Sequence, residues 1–525
     1  MKHLFWLLSF LACNLYAQNQ PPVIQNLTAA VNWTANTLTI QYDVADAEDD
    51  ALDISLGISS DNGKTFFPVN FIPATGDLGF PVTPGAARII SCDVSQLAAT
   101  PGTFTVRLVA DDKQPFDLQK LVNEVDSNRL REDLRFVEGI RHRTGGLAHL
   151  NAVRDSIKNL FHTAGLLTEE QAFTFGAYTA RNVLGTFTGT AAPSKSVIVD
   201  AHYDSVANAP GADDNGSGTV GVMEVARLLS RYPTKKTLRF IGFDLEEAGL
   251  LGSIRYVSTG IPAGETVDGV FNFEMIGYYS DKPNSQQLPT GFEVLFPAAY
   301  NEVANNQFRG NFITNVGNTA SKSLISLFVN SAAQYVPGLK VISAEVPGNG
   351  QIAADLRRSD HAPFWDSGKQ ALMLTDGANF RNMCYHTPCD TAEDRLNFTF
   401  MSQVVKATLA AAAQLAEIQH GDWAATTFKN TVRNKDLYRR PCAMALNISP
   451  KERDVLHLNI QGCAVTNVGL ELYDERGALI TQESIPNMQE GDMQIFLPNT
   501  LAPGVYFAKF SWSDGQWTER VVVAQ

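Results

Sequence analysis

Three short apolar runs, each stopping at a side chain able to hold a cation, constrain this chain more than any other feature. Ser196-Val197-Ile198-Val199-Asp200-Ala201 delivers His202, Thr237 to Phe243 runs into Asp244-Leu245-Glu246-Glu247, and Phe271-Asn272-Phe273 ends at Glu274. Runs of this length, rich in branched and aromatic residues, read as buried strands. Between the first two, Val222, Val225, Ala226 and Leu229 keep helical spacing. Strands alternating with helices in this way build a mostly parallel sheet with helices on both faces, and functional residues gather at the carboxyl ends of its strands. The expected fold class is therefore α/β, a mixed sheet with a mostly parallel centre flanked by helices.

The residues at those ends suit metal chemistry. His202 is followed by Tyr203-Asp204-Ser205, and Gly211-Ala212-Asp213-Asp214-Asn215-Gly216 brings a carboxylate into a glycine-rich turn. Successive side chains at a strand end point in different directions, so Glu246 and Glu247 can take different jobs. Downstream, His386 lies in Tyr385-His386-Thr387-Pro388-Cys389-Asp390. Two histidines and three carboxylates exceed one tetrahedral zinc and suit two metals bridged by a carboxylate. Singly, each piece has a plainer account: a core histidine, a solvated glutamate pair, an ordinary turn or a calcium loop. Their order, each near a strand end, argues for a common site.

Taken together, these motifs resemble the di-zinc aminopeptidases of metallopeptidase family 28, over roughly residues 120–420. The resemblance implies a zinc exopeptidase-like fold and two Zn ions, one held by His202 and Glu274, the other by Glu247 and His386, with Asp214 bridging. It implies Glu246 as general base and Asp204 as the carboxylate that orients the His202 ring. The family often has Asp where this chain has Glu274. Peptides with a free N-terminus are the substrates it implies. Ser359-Asp360-His361 resembles a segment beside the family's active site, where Asp360 and His361 would either support the metal ligands or serve packing.

Length and charge bound the rest. At 525 residues the chain has room for two to four domains. Its 55 acidic against 41 basic residues, a net charge of −14, oppose nucleic acid or anionic membrane surfaces as partners. Met1-Lys2-His3 followed by Leu4 to Ala12 has the make-up of a signal peptide, expected to span 1–17, and is too short to cross a bilayer comfortably. Cys13 offers a competing lipoprotein reading, but Phe10 stands where such a motif usually has Leu. No later run is apolar for long enough to be a membrane helix, so the expected product is secreted or at the cell surface, with the periplasm as alternative. Export permits disulfides. Cys384 with Cys389 would bracket His386, Cys442 with Cys463 would staple the C-terminal region, and Cys92 fits a buried free thiol.

Residues 18–112 show short alternating runs such as Thr37 to Val44 and Thr103 to Val109, separated by turn signals including Asp61-Asn62-Gly63. That pattern reads as an immunoglobulin- or fibronectin-like β-sandwich. The acidic turn Asp46 to Asp50 reads as solvated rather than as a calcium site. From Leu118 to about Ala164 the pattern is helical, with Leu130, Leu134, Val137 and Ile140 on one face. The peptidase-like domain is expected over 113–420, with 280–358 as an insertion lining the substrate pocket. A linker over 421–445 and a C-terminal β-sandwich over 446–525 follow. Leu472-Tyr473-Asp474, Leu501-Ala502-Pro503-Gly504-Val505-Tyr506 and Arg520-Val521-Val522-Val523 resemble sorting domains of type IX secretion, which implies that machinery as a partner. Those domains usually open with Tyr-Pro-Asn-Pro, where this chain has Asn447-Ile448-Ser449-Pro450.

Three rival functions compete. A glutaminyl cyclase is built on similar motifs but usually uses one zinc and tends to carry Asp-Asp-His where this chain has Ser359-Asp360-His361. A carboxypeptidase relative would differ in its pocket. A cell-surface binding protein with an inactive centre would lack a ligand or the base, and all six positions are filled here.

Overall fold

The structure, a computed structural model, describes residues 19–523 except 68–70, 99, 394, 431–442, 450–451, 462–464, 490, 498–499 and 513–514. The expected leader over 1–17, Cys13 and the Cys442–Cys463 bridge lie outside the described residues.

An eight-stranded mixed sheet forms the centre. Its order is Val341–Val346, Ile313–Asn318, Ala371–Thr375, Thr266–Phe273, Ala192–His202, Lys236–Phe243, Tyr178–Phe187 and Leu167–Phe175. The four strands from Ala371–Thr375 to Lys236–Phe243 run parallel, and the strands flanking this group pair with it antiparallel. Both faces are covered, which is why these strands read as continuous apolar runs and not as alternation. Val197, Val199 and Ala201 pack under the helices Leu147–Thr163, Gly218–Leu229 and Phe398–Ala416, while Ile198 faces Tyr256, Phe364 and Trp365 of the opposite layer. Full burial of each valine or isoleucine among them contributes about 1.5–3 kcal/mol, so the register that aligns the strand ends is strongly held.

Several expectations need correcting. Residues 280–358 are no mere insertion, because Ile313–Asn318 and Val341–Val346 pair with each other and extend the central sheet. Val316, Ile342 and Ala344 are buried there, in runs too short to stand out by period. The strand Leu167–Phe175 was not foreseen; it is the outermost strand and mostly half-exposed. The helix Ser127–Val137 stops short of Ile140, which is partly exposed, because the backbone turns at Glu138-Gly139.

The linker expected from 421 is also wrong over its first ten residues. Gly421–Asn430 is a strand paired along its whole length with Gly102–Asp111, Phe428 stacking on Phe104 at 5.1 Å. Trp423, Thr426, Thr427 and Phe428 are good strand formers, and the absence of a turn signal hid them. This strand joins a sheet with Leu52–Ser59 and Gly79–Val82, and a second sheet contains Val23–Asn32, Thr37–Ala45, Gly85–Asp93 and Ala74–Gly76. The two sheets share one apolar core, including Ile40, Ile54, Val106 and Leu108. C-terminally, a three-stranded and a four-stranded sheet share another, including Leu456, Leu458, Leu470 and Phe510. Phe71 meets Tyr473 and Phe507, each at 5.2 Å, and so joins the N- and C-terminal units. No helix among the described residues is long and apolar enough to cross a membrane.

Candidate metal centre

The parallel register carries four carboxylate-or-imidazole residues to one end of the sheet. His202 is the last residue of its strand and lies opposite Phe243, whose chain continues into Glu246 and Glu247. The neighbouring strand on the other side ends at Phe273, immediately before Glu274. Asp214 arrives from the turn after Gly211, and His386 from the loop after Cys384. Gly211 has a left-handed backbone, φ +62°, and a Cβ there would fall 2.2 Å from the Asp214 carbonyl oxygen, so the turn needs glycine. The Asp214–Asn215 peptide is cis.

All six predicted ligand and base residues meet. Ligand-capable atoms of His202, Glu246 and Glu274 lie within 4.8 Å of one another, as do those of Asp214, Glu247 and His386. Asp214 faces both groups: its Oδ1 is 3.5 Å from His202 Nε2 and its Oδ2 is 3.1 Å from His386 Nε2. Glu274 Oε2 stands 3.4 Å from His202 Nε2, and Glu247 Oε2 stands 3.1 Å from His386 Nε2. Glu246 Oε2 is set back slightly, at 3.8 Å from His202 Nε2.

The donor set fits cations. His202 Nε2, His386 Nε2, Asp214 Oδ2 and Glu247 Oε1 are buried and lack hydrogen-bond partners, although oppositely charged groups lie close. An unsatisfied buried polar group costs about 1–3 kcal/mol. Four at one point are best accounted for by metal ions that each would bind.

The protonation states agree. Burial opposes charge on His202, yet Glu246, Asp204, Asp214 and Glu274 together hold its pKa well above the ordinary imidazole range. Burial likewise opposes His386, and Asp214 with Glu247 pushes it up to about 10. Asp214 is pulled well below the usual carboxylate range by the two histidines, against the effect of burial. Burial raises Glu246 well above its ordinary value, and burial with the Asp214 charge takes Glu247 up to about 7. The imidazolium protons stand where cations would otherwise offset this crowd of carboxylates.

A supporting layer fixes these groups. Asp204 Oδ1 lies 3.3 Å from His202 Nδ1, and the same carboxylate accepts from the backbone N–H groups of Glu246 and Glu247 at 3.1 and 3.3 Å. Asp204 therefore orients the histidine and the glutamate pair at once. Ser359 Oγ donates to Glu274 Oε2 at 2.7 Å. Asp390 accepts from the N–H groups of Asp213 and Asp214, and Asn215 Oδ1 accepts from Met275 N–H. The wholly buried Arg141 donates to the carbonyls of Tyr203, Pro210 and Gly211 and so holds the turn. Leu245, Met275 and His386 all take left-handed backbone conformations, φ +60°, +55° and +57°. Each costs roughly 1–3 kcal/mol for a residue with a side chain, and such strain concentrates where a site dictates geometry.

Sequence reasoning missed Asp390, Arg141, Asn215 and Tyr385. Position was the available signal: Asn215 follows Asp214, and Tyr385 precedes His386. The Tyr385 ring stacks on His386 at 3.7 Å, and its hydroxyl accepts from Arg358 Nη2 at 2.8 Å. Burial raises its pKa, so it stays a neutral phenol whose own hydrogen is free for another acceptor. Asp360 is buried, with burial pushing it up to about 7. His361 turns away to the Leu356 carbonyl at 2.9 Å and packs on Trp365, and burial lowers it to about 3, so it is a core residue. The Cys384–Cys389 bridge is formed, S–S 2.06 Å, and Cys92 is a buried free thiol.

Beside this group opens a cavity of about 70 Å³, with Glu274 and Tyr385 in its wall and Phe292, Phe312, Ile342 and Met373 making it apolar.

Residues 182–412 match peptidase family M28. Over 270 residues the chain is 33% identical to the uncharacterized protein YfbL of Escherichia coli, a span covering 49% of this chain and 78% of that one. It is 31% identical over 207 residues to aminopeptidase YwaD of Bacillus subtilis, covering 38% of this chain and only 36% of that one. Among solved structures, the LapA aminopeptidase of Legionella pneumophila matches with a TM-score of 0.43 at 21% identity, over 57% of this chain and 74% of that one.

Proposed function

The chain belongs to peptidase family M28, and from that premise we propose that it is an aminopeptidase using two zinc ions to release N-terminal residues from peptides. One observation carries the two-metal reading: Asp214 presents one oxygen to each histidine, 3.5 Å from His202 Nε2 and 3.1 Å from His386 Nε2. His202 and Glu274 would hold one ion, Glu247 and His386 the other, and Asp214 would bridge. Bound there, zinc would supply Lewis acidity and bring the pKa of a bound water toward about 7.

The chain's own residues do the rest. Glu246, set back from the ligands, takes a proton from the attacking water and passes it to the leaving amine. Asp204 keeps the His202 ring and the Glu246 backbone in register through the contacts described above. Tyr385, whose oxygen already accepts from Arg358, donates its hydrogen to the carbonyl oxygen as that oxygen gains charge. The apolar cavity takes the side chain of the residue released.

The name of YwaD, an aminopeptidase, supports this substrate class. Ser359 bears on the cyclase alternative: its hydroxyl donates to Glu274, where an acid would set a second negative charge against that ligand. Export of the protein to the cell surface or beyond is part of the same proposal, supported by the signal-like 1–17 segment. The pairs of sheets at either end are read as β-sandwich modules, the C-terminal one as a type IX sorting domain.

Glu246→Gln tests the mechanism. The variant keeps two zinc ions per chain and loses turnover of peptides with free N-termini. Undiminished hydrolysis would remove Glu246 as base, one zinc per chain would remove the bridge, and cyclisation of an N-terminal glutamine without peptide cleavage would favour the cyclase.

A further inference from the structure

Two adjacent arginines beside the cavity are used differently. Arg357 donates to the Asn349 carbonyl and pairs with Asp366 at 2.6 Å, so its charge is answered. Arg358 lines the cavity and makes its hydrogen bonds to neutral groups, Tyr385 Oη at 2.8 Å and Asn379 Oδ1 at 3.2 Å. Its nearest carboxylate, Asp355, is 3.8 Å away, and both side chains are about half exposed, 46% and 47%. A loose pair in that much solvent contributes little. Arg358 is thus a cation at the rim, and among the described lining residues it is the only basic one.

From this placement we propose that Arg358 selects substrates with a carboxylate on the leaving side of the scissile bond, either the C-terminus of a dipeptide or an acidic residue next to the one released. The proposal rests on the aminopeptidase reading. With the scissile carbonyl at the His202–His386 pair, the released residue enters the cavity where Phe292, Phe312, Ile342 and Met373 offer its side chain apolar contact. The chain beyond the bond leaves past the rim, where Tyr385 stacks on His386 and holds Arg358. A planar guanidinium with N–H groups to spare binds a carboxylate through two parallel hydrogen bonds, which a lysine cannot reproduce.

The experiment uses the zinc-loaded full chain and pairs of substrates sharing an N-terminal leucine. Leu-Gly is compared with Leu-Gly-amide, and Leu-Asp-amide with Leu-Asn-amide. A charge-assisted hydrogen bond of ordinary strength gives the acid of a pair about a tenfold advantage in kcat/KM. The pair that shows it identifies the carboxylate recognised, main-chain or side-chain. In Arg358→Gln the acid-to-neutral ratio falls to about one, and Arg358→Lys restores only part of it. Because the ratio is taken within each variant, a general loss of activity cannot imitate the result. Equal cleavage within both pairs by the parent chain, or a ratio that survives in Arg358→Gln, overturns the role of Arg358 and leaves the aminopeptidase intact. Cleavage of none of the four overturns both.

Discussion

The two halves of the candidate metal centre are built on different principles. His202 and Glu274 stand at the ends of central strands, with side chains 1% and 8% exposed. Their geometry is inherited from a register that the whole core enforces. His386 stands on a loop, 35% exposed, with a left-handed backbone. Its position depends on local devices: the Cys384–Cys389 bridge, the Tyr385 stack and Asp390, which ties the Asp213–Asp214 backbone to the same loop. A buried half costs more to disturb and a loop half is easier to retune, so substitutions should separate the two.

The largest effect belongs to the residue common to both halves. Asp214→Ala removes the carboxylate facing each histidine, so zinc content falls by more than one ion and turnover drops by at least about a hundredfold, the upper end of what losing even an outer-shell partner costs. Retention of two zinc ions per chain, measured by elemental analysis, would show that the halves are independent and that Asp214 bridges nothing.

Next comes a direct contrast. His202→Ala leaves Glu246, Glu274 and Asp214 crowded without their buried cationic partner, and breaking such a buried pair costs about 3–5 kcal/mol. His386→Ala opens a half-exposed position that water can fill. In metal-free protein, thermal unfolding should therefore show a large loss for the first and a small one for the second. Equal losses would erase the distinction between a strand-built and a loop-built half.

The same distinction explains what could be read from the residues alone. The strand-borne groups were legible because His202, Glu246 and Glu274 each end a run of buried residues, and parallel strands must bring such ends together. Asp214 and His386 were legible only as ligand-capable side chains, and their assignment to one site or the other came from motif resemblance, since nothing in a loop's periodicity says where it folds back. Arg141 and Asn215 act through backbone carbonyls and N–H groups, contacts that leave no pattern in the chain. The strands Ile313–Asn318 and Val341–Val346, at one end of the sheet, were missed because each offers only six residues in a polar neighbourhood. Gly421–Asn430 was missed because its partner, Gly102–Asp111, lies more than three hundred positions away.

Replacing Cys384 and Cys389 by serine tests the loop half alone. Closing a loop this short restricts the unfolded chain by about 2 kcal/mol in the entropic account, an upper bound on the stability lost. Without the bridge, the loop must order His386 at each binding event, so one of two zinc-binding steps weakens by roughly tenfold, the lower range for losing an outer support of a ligand. A two-step calorimetric titration resolves this, and weakening of both steps together would mean that the loop supports the strand-built half as well.

The smallest effect is in pH. Without metal, the folded protein holds His386 protonated up to about 10, Glu247 is raised to about 7, and His202 is raised as well. Every one of these groups binds its proton more tightly folded than unfolded, so each contributes stability that is fully present below its unfolded value and lost as pH rises through its folded one. Asp214, shifted the opposite way, is ionised in both states above about pH 5 and adds no slope there. Metal-free protein should therefore lose stability steadily from about pH 5 to 10. Zinc reverses the dependence, because it needs neutral imidazoles and ionised carboxylates, the forms that rising pH supplies. The gap in Tm between zinc-saturated and stripped protein should widen from pH 6 to pH 8, and in His386→Ala it should widen less. A gap independent of pH in the parent chain would mean that protons and zinc do not compete for these side chains, and the halves would then differ in burial alone.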